Sequence, residues 1–212
     1  MASRRELPPV NIEKSYWKKG LTVAAIDEAG RGPLFGEVVV GAVMIDPTNI
    51  PVAYDSKVLT GPAREKLAVA VRKNALAYGV GSASAQEIDA LGMSAALALA
   101  AVRALEQLAV EFDVLLIDGP HNITKVSYRT HCVVKGETHS RSIAAASLLA
   151  KTAHDEMILE HAIALPGYGL ERNMGYGTPE HLEALRTLGP TTQHRQTFKP
   201  VREALRTCSG GS

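Results

Sequence analysis

The chain has 212 residues, and its hydrophobic fraction of 46% is enough for one domain of ordinary size with a packed core. Because 23 basic and 22 acidic residues leave a net charge of +1, any contact with nucleic acid must come from a local basic cluster. The two cysteines lie far apart in the sequence, which argues against a disulfide scaffold and a zinc ribbon. The N-terminus lacks an apolar signal, and no stretch is long enough to span a bilayer. We expect a cytoplasmic protein.

The first part of the chain predicts an extended lead-in at residues 1–12, followed by strands at 21–27 and 37–46. A segment rich in glycine and proline joins these two strands. The second strand is so rich in valine that we expect it to be buried. A helix at 62–74 and a third strand at 76–82 follow.

The second part of the chain predicts helices and two further strands. A low-charge, alanine-rich helix and a long helix capped by Ser140 or Ser142 flank these strands, and Thr178-Pro179 opens a later helix. The predicted strands lie at 113–118 and 131–135, and the predicted helices lie at 94–111, 142–165, 179 onward and 201–207. This order predicts an α/β protein, with a mixed core at residues 1–165 and a C-terminal helical extension and tail at 166–212.

Carboxylates stand at the ends of three predicted strands. Asp27 and Glu28 follow the first strand, Asp118 ends the strand VLLID, and Glu137 follows a later strand. If the strands that end at 27 and 118 are neighbours with the same direction, their carboxylates meet in a crevice at the sheet edge. Hard oxygen ligands of this kind suit Mg²⁺ or Mn²⁺. Asp118 before Gly-Pro is also a common turn former, and Glu137 also suits a solvated helix start.

Several other polar residues are less specific. Arg31 between two glycines suits contact with a phosphate or a sugar, because glycine lets the backbone approach a ligand closely. Tyr176 between two glycines suits stacking on a sugar or base, although a tyrosine packed over the core is the commoner case. His194-Arg195 suits phosphate contacts, and Asp155, inside the long helix, is expected to have a solvated or structural role.

From about Trp17 to Val201 the chain resembles the ribonuclease HII family, the type 2 ribonucleases H. The resemblance rests on six blocks in order: IDEAGRGPLFG, DSKVL, LLIDG, SIAAASLLAK, GYGTPEHLEAL and GPTTQHRQTF. It implies a ribonuclease H-like mixed sheet flanked by helices, with a C-terminal helical extension. It also implies metal-dependent cleavage of RNA in RNA/DNA hybrids and 5′ of ribonucleotides embedded in duplex DNA, with ribonucleotide removal from DNA as the purpose.

The resemblance assigns roles to particular residues. The family's four acidic metal ligands and catalytic groups fall on Asp27, Glu28, Asp118 and Glu137, and its elements for recognising the 2′-OH fall on Gly30, Arg31, Gly32 and Tyr176. The chain departs from the family pattern at three positions: Glu137 replaces the usual aspartate, His154 replaces a common basic residue, and Met174 replaces a lysine before Gly-Tyr.

The resemblance therefore predicts an endonuclease that uses Mg²⁺ or Mn²⁺ and acts as a monomer on RNA/DNA hybrids and ribonucleotide-containing DNA. It would leave a 3′-hydroxyl and a 5′-phosphate. The alternative is a protein that binds RNA/DNA hybrids without cutting them, which would follow if Glu137 impaired the metal site.

Overall fold

The computed structural model describes residues 6–124 and 126–209, which form a five-stranded mixed sheet between helices. The start of the predicted lead-in and the end of the predicted tail lie outside these residues. The strands are β1 (Val23–Ala29), β2 (Val38–Ile45), β3 (Ala75–Ala83), β4 (Val114–Asp118) and β5 (Thr130–Val133). The helices are α1 (Asn11–Trp17), α2 (Gly61–Asn74), α3 (Ala85–Leu91), α4 (Met93–Glu106), α5 (Gly136–His139), α6 (Arg141–Ala164), α7 (Leu170–Asn173), α8 (Pro179–Leu188) and α9 (Lys199–Ser209).

The strand order is β3-β2-β1-β4-β5. Both β1–β2 and β2–β3 are antiparallel, whereas β4 runs parallel to β1 and β5 runs parallel to β4. Ile26 of β1 lies opposite Ile117 of β4, so Asp27 and Asp118 follow paired residues at the same sheet edge. The predicted α/β fold is confirmed, and so is the predicted pairing of the two strands that end in aspartate.

Side chains alternate between the two faces of β1. Ala25 contributes to the core beneath α6, and Ala24 and Ile26 contribute to the core beneath α4. The helix α6 lies close to the sheet because Gly41 of β2 has no side chain, and a Cβ there would lie 2.3 Å from the carbonyl oxygen of Ala146. This close approach brings α6 next to Asp27, which pairs with Gly41 across the strands.

Four helices were not predicted, namely α1, α3 and the four-residue helices α5 and α7. The helix α1 includes residues that were assigned to the extended lead-in, and its Glu13 is fully buried, accepting hydrogen bonds from Ser140 Oγ at 2.6 Å and Ser142 N at 2.9 Å. Glu13 therefore satisfies the Ser142 N–H group in the first turn of α6, which sequence patterns cannot reveal because the partners lie so far apart. The helix α3 begins at a capping box formed by Ser84 and Glu87, a local signal that was missed.

The C-terminal helices pack beside the loop that joins β1 to β2. Leu34 of this loop lies in one apolar cluster with Leu185 of α8 and Val201 of α9. The segment before α9 also pairs with the loop, since Phe35 and His194 form an isolated β-bridge. The division of the chain at residue 165 stays a prediction. None of the helices in the described residues is long and apolar enough to cross a membrane.

Candidate active site

Three of the four predicted acidic residues meet at one end of the sheet. Asp27 is near the end of β1, Asp118 ends β4, and Glu137 is in the first turn of α5, shortly after β5. One carboxylate oxygen from each residue lies within 4.8 Å of the others. Since β1, β4 and β5 are parallel neighbours, the topology itself brings their carboxyl ends together.

Burial of this acidic cluster opposes ionisation of its carboxyl groups. Asp27 is only 4% exposed, and burial, with the charges of Glu28 and Asp118, raises its pKa from 3.8 to about 8. Burial also raises the pKa of Asp118, although its Oδ1 accepts a 2.6 Å hydrogen bond from the Gly136 N–H. Burial is the largest influence on Glu137 and opposes its ionisation, but the 2.6 Å hydrogen bond from Lys57 Nζ, the charge of Lys57 and further hydrogen bonds together bring its pKa below the usual value.

These residues fit a divalent cation. All three offer hard oxygen donors, and the Oε2 atom of Glu137 is buried without a hydrogen-bond partner. A cation would relieve both the mutual repulsion of the carboxylates and the unsatisfied oxygen. The extra methylene of Glu137, relative to aspartate, does not keep its carboxylate out of the cluster.

Glu28 is not part of this three-residue group. As the next residue along β1 it faces the opposite side of the sheet, where its Oε1 accepts a 3.0 Å hydrogen bond from Arg31 Nη1. Glu28 lines a cleft of about 500 Å³ together with Arg31, Asp118 and residues of α4 such as Ser94. The structure thus places Glu28 beside the acidic cluster, with Asp118 common to the cluster and the cleft.

The Gly-Arg-Gly segment follows β1 directly. Gly30 has φ +86°, and a Cβ there would lie 2.5 Å from His154 Cδ2, so only glycine fits this turn. The side chain of Arg31 is 59% exposed. Gly32 faces Tyr176, because a Cβ on Gly32 would lie 3.2 Å from Tyr176 Cε1. Residues far apart in sequence thus form one continuous surface, and Tyr176 is 45% exposed on it rather than packed in the core.

The prediction that His194 and Arg195 contact phosphate is wrong, because both residues are fully buried. Arg195 instead donates hydrogen bonds to five backbone carbonyl oxygens in and beside the loop between β1 and β2. The acceptors are Gly30 at 2.6 Å, Arg31 at 3.2 Å, Pro33 at 2.7 Å, Gly36 at 2.9 Å and Glu37 at 2.9 Å. The guanidinium group therefore fixes the shape of the loop that presents Arg31.

Asp155 has the structural role that was expected for it. Its carboxylate accepts hydrogen bonds from Arg64 at 2.8 Å and from Lys151 at 2.7 Å. His154, which stands where the family pattern has a basic residue, is buried behind Gly30. Met174, the third departure, packs against an apolar cluster that contains Phe35 and Ile158.

Comparison with known proteins gives one consistent result. The family model described as Ribonuclease HII matches residues 24–201. Ribonuclease HII of Thermus thermophilus is 45% identical over 193 residues, which cover 91% of this chain and 94% of that protein. Ribonuclease HII of Paraburkholderia xenovorans is 47% identical over 184 residues, covering 86% of this chain and 74% of that protein.

Solved structures agree with the sequence matches. Ribonuclease H2 from Pyrococcus horikoshii superposes with a TM-score of 0.76 at 26% identity, covering 88% of this chain and 98% of that one. A structure of Bst-RNase HIII in complex with Mn²⁺ superposes with a TM-score of 0.67 at 23% identity, covering 90% of this chain and 71% of that one. At that identity the second likeness concerns the fold alone.

Proposed function

Because the chain belongs to the ribonuclease HII family and is a type 2 ribonuclease H, an endonuclease, we propose that it cleaves RNA in RNA/DNA hybrids and 5′ of single ribonucleotides in duplex DNA. The products would be a 3′-hydroxyl and a 5′-phosphate. The observation that supports this most directly is the short distance along the chain between Asp27 of the acidic cluster and Gly30 of the Gly-Arg-Gly segment. A phosphodiester at the carboxylates would have its sugar beside that segment.

Asp27, Asp118 and Glu137, with Glu28 beside them, would hold Mg²⁺ or Mn²⁺. When bound, such ions supply positive charge that activates a water and stabilises the leaving oxygen. Asp27 must lose its proton to act as a ligand, since its pKa is raised to about 8. Lys57 keeps the neighbouring Glu137 ionised and limits the movement of its carboxylate.

The Gly-Arg-Gly segment and Tyr176 would recognise the ribose. Gly30 and Gly32 leave backbone groups open to the 2′-OH, which distinguishes RNA from DNA at a single nucleotide. Arg31 pairs with Glu28 at a largely exposed position, so its guanidinium can also contact a phosphate. Tyr176 presents an exposed ring next to Gly32, where it can stack on the neighbouring deoxyribose.

The decisive experiment is cleavage of a labelled DNA duplex that carries one ribonucleotide, with Mg²⁺ or Mn²⁺ added. An all-DNA duplex and a long RNA/DNA hybrid serve as controls. We expect a single cut 5′ of the ribonucleotide, no cut in DNA, and no cleavage by Asp27→Asn. Cleavage of the hybrid alone would refute junction recognition by Tyr176, and cleavage by Asp27→Asn at the wild-type rate would refute the metal assignment.

A cut at this position is the first step in removing ribonucleotides from DNA, so we assign the protein to DNA replication and repair. The expected monomeric state and cytoplasmic location stay predictions.

A further inference from the structure

Two buried histidines lie directly beneath Tyr176. His181 is in the first turn of α8, and His194 is in the segment that pairs with the loop between β1 and β2. Both side chains are fully buried, and their Nε2 atoms lie 3.1 Å apart. Neither residue contacts the acidic cluster, so the proposed cleavage chemistry does not account for them.

The neighbouring groups fix where each imidazole carries its proton. The Thr191 N–H donates to His194 Nδ1 at 2.9 Å, so this nitrogen is an acceptor and the proton of His194 is on Nε2. His194 Nε2–H then donates to His181 Nε2, which leaves the proton of His181 on Nδ1. His181 Nδ1–H donates in turn to the carbonyl oxygen of Tyr176 at 3.0 Å. Only this pair of neutral tautomers satisfies all three contacts.

This series of hydrogen bonds ends on the backbone carbonyl oxygen of Tyr176, which also accepts one backbone hydrogen bond. Tyr176 lies between Gly175 and Gly177, and its ring is 45% exposed. Its N–H donates to Asn173 O at 2.9 Å, and its carbonyl oxygen also accepts from the Thr178 N–H at 2.8 Å. Because glycines on both sides allow many backbone conformations, the hydrogen bond from His181 restricts the peptide plane that orients the ring.

At the His194 end of this series of hydrogen bonds, the protein backbone is attached to the loop between β1 and β2. The N–H of Gly36 donates to Gln193 O at 2.9 Å, and the Arg195 N–H donates to Leu34 O at 2.8 Å, on either side of His194. The ring of Phe35 packs edge-on against the ring of His194, with centroids 4.8 Å apart. His194 is therefore held by the same loop that presents Arg31, and His181 connects it to Tyr176.

We propose that His181 and His194 are positioning residues that hold Tyr176 over Gly32 and so set the preference for a single embedded ribonucleotide over a long hybrid. This inference rests on the proposed function, in which Tyr176 recognises the junction. The two histidines do not touch the substrate. Together with the hydrogen bond from the Leu34 N–H to the Gly175 carbonyl oxygen at 2.8 Å, they join the two halves of the recognition surface, one in the β1–β2 loop and one before α8.

Two substitutions at His181 distinguish a role in positioning Tyr176 from a role in packing alone. In His181→Asn the side-chain amide nitrogen replaces Nδ1, so the variant still donates to the Tyr176 carbonyl but loses His194. In His181→Gln the side-chain amide replaces Nε2, so the variant still accepts from His194 but loses Tyr176. Each variant removes one of the two contacts of His181, so urea unfolding should give similar losses of stability for both.

We expect kcat/KM on the single-ribonucleotide duplex, relative to the long hybrid, to fall about tenfold in His181→Gln and to stay within about twofold of wild type in His181→Asn. The loss should be in kcat, since phosphate contacts dominate the affinity for the duplex and neither variant changes them. In a Tyr176→Ala background His181→Gln should cause no further loss of selectivity, because the ring that it positions is absent.

Equal losses of selectivity in both His181 variants, or a full effect of His181→Gln in the Tyr176→Ala background, would overturn the inference. The proposed function fails separately, if Tyr176→Ala alone leaves the selectivity for a single ribonucleotide unchanged. If Tyr176→Ala lowers the selectivity and His181→Gln does not, the junction role of Tyr176 survives and only the positioning role is refuted.

Discussion

Asp27→Asn should stabilise the cation-free protein at alkaline pH, although it should abolish cleavage. In the folded chain the pKa of Asp27 is raised from 3.8 to about 8, first by burial and then by the charges of Glu28 and Asp118. At a pH between these two pKa values, Asp27 keeps its proton in the folded state but has released it in the unfolded state. Stability must therefore fall as pH rises through this range, and asparagine, which does not titrate, removes that loss.

The size of this stability difference follows from the shift in the pKa of Asp27. Each pH unit within the range costs about 1.4 kcal/mol, so the stability of Asp27→Asn relative to wild type should rise by about 4 kcal/mol from about pH 5 to about pH 8. Urea unfolding in EDTA at several pH values measures this difference. Mg²⁺ should reduce it at the higher pH, because the ion binds the folded wild type and stabilises the ionised carboxylate.

Asp46→Asn is the matched control. Hydrogen bonds from the Thr48 hydroxyl and backbone N–H lower the pKa of Asp46, so this residue is ionised in both states throughout the tested range. Its variant should differ from wild type by an amount that does not change with pH. A similarly flat difference for Asp27→Asn would show that Asp27 is already ionised in the fold, and would refute the electrostatic argument.

Three further substitutions test other parts of the site. Tyr176→Ala should slow cleavage of a single embedded ribonucleotide at least tenfold more than cleavage of a long hybrid in paired kinetic assays, and equal losses would remove Tyr176 from junction recognition. Glu137→Asp shortens the side chain by about 1.5 Å and breaks the 2.6 Å contact with Lys57. A higher Mg²⁺ concentration should then be needed for half-maximal activity, and an unchanged Mg²⁺ titration would contradict this. Arg195→Lys should lower the free energy of unfolding by about 3 kcal/mol or more in urea, because a single ammonium cannot reach five carbonyls, and a neutral result would be inconsistent with its burial.

The acidic cluster was predictable because it depends on strand ends. Asp27 and Asp118 each follow an apolar run, and parallel neighbours necessarily bring such residues to one edge. The separation of Glu28 from the cluster also follows from strand geometry, since adjacent residues face opposite sides of a sheet. The position of Glu137 was less certain from sequence, because it depends on how α5 begins after β5.

The buried polar groups could not be predicted. Sequence patterns present Arg195 and His194 as loop residues with phosphate-binding chemistry, yet both are buried in contact with the β1–β2 loop. Nothing local to Arg195 indicates which carbonyl groups, more than 150 positions earlier, its guanidinium contacts. Only the tertiary structure shows that the C-terminal segment holds the loop and that His181 lies between His194 and the carbonyl oxygen of Tyr176.

Asp27 and Asp155 should respond oppositely to the same substitution, and the contrast tests the proposed cation site. Burial opposes ionisation of both carboxyls, but at Asp155 the hydrogen bonds and charges of His154 and Lys151 together outweigh it, so the pKa of Asp155 lies below its usual value. Asp155→Asn should therefore destabilise the protein in EDTA, because the amide removes the negative charge and leaves one oxygen to accept from Arg64 and Lys151, whereas Asp27→Asn should stabilise it at alkaline pH. Since burial and the neighbouring charges oppose ionisation of Asp27, a carboxylate at this position agrees with the proposed role as a metal ligand. Loss of stability in both variants at alkaline pH would mean that Asp27 has a structural partner, and the metal assignment would lose its electrostatic support.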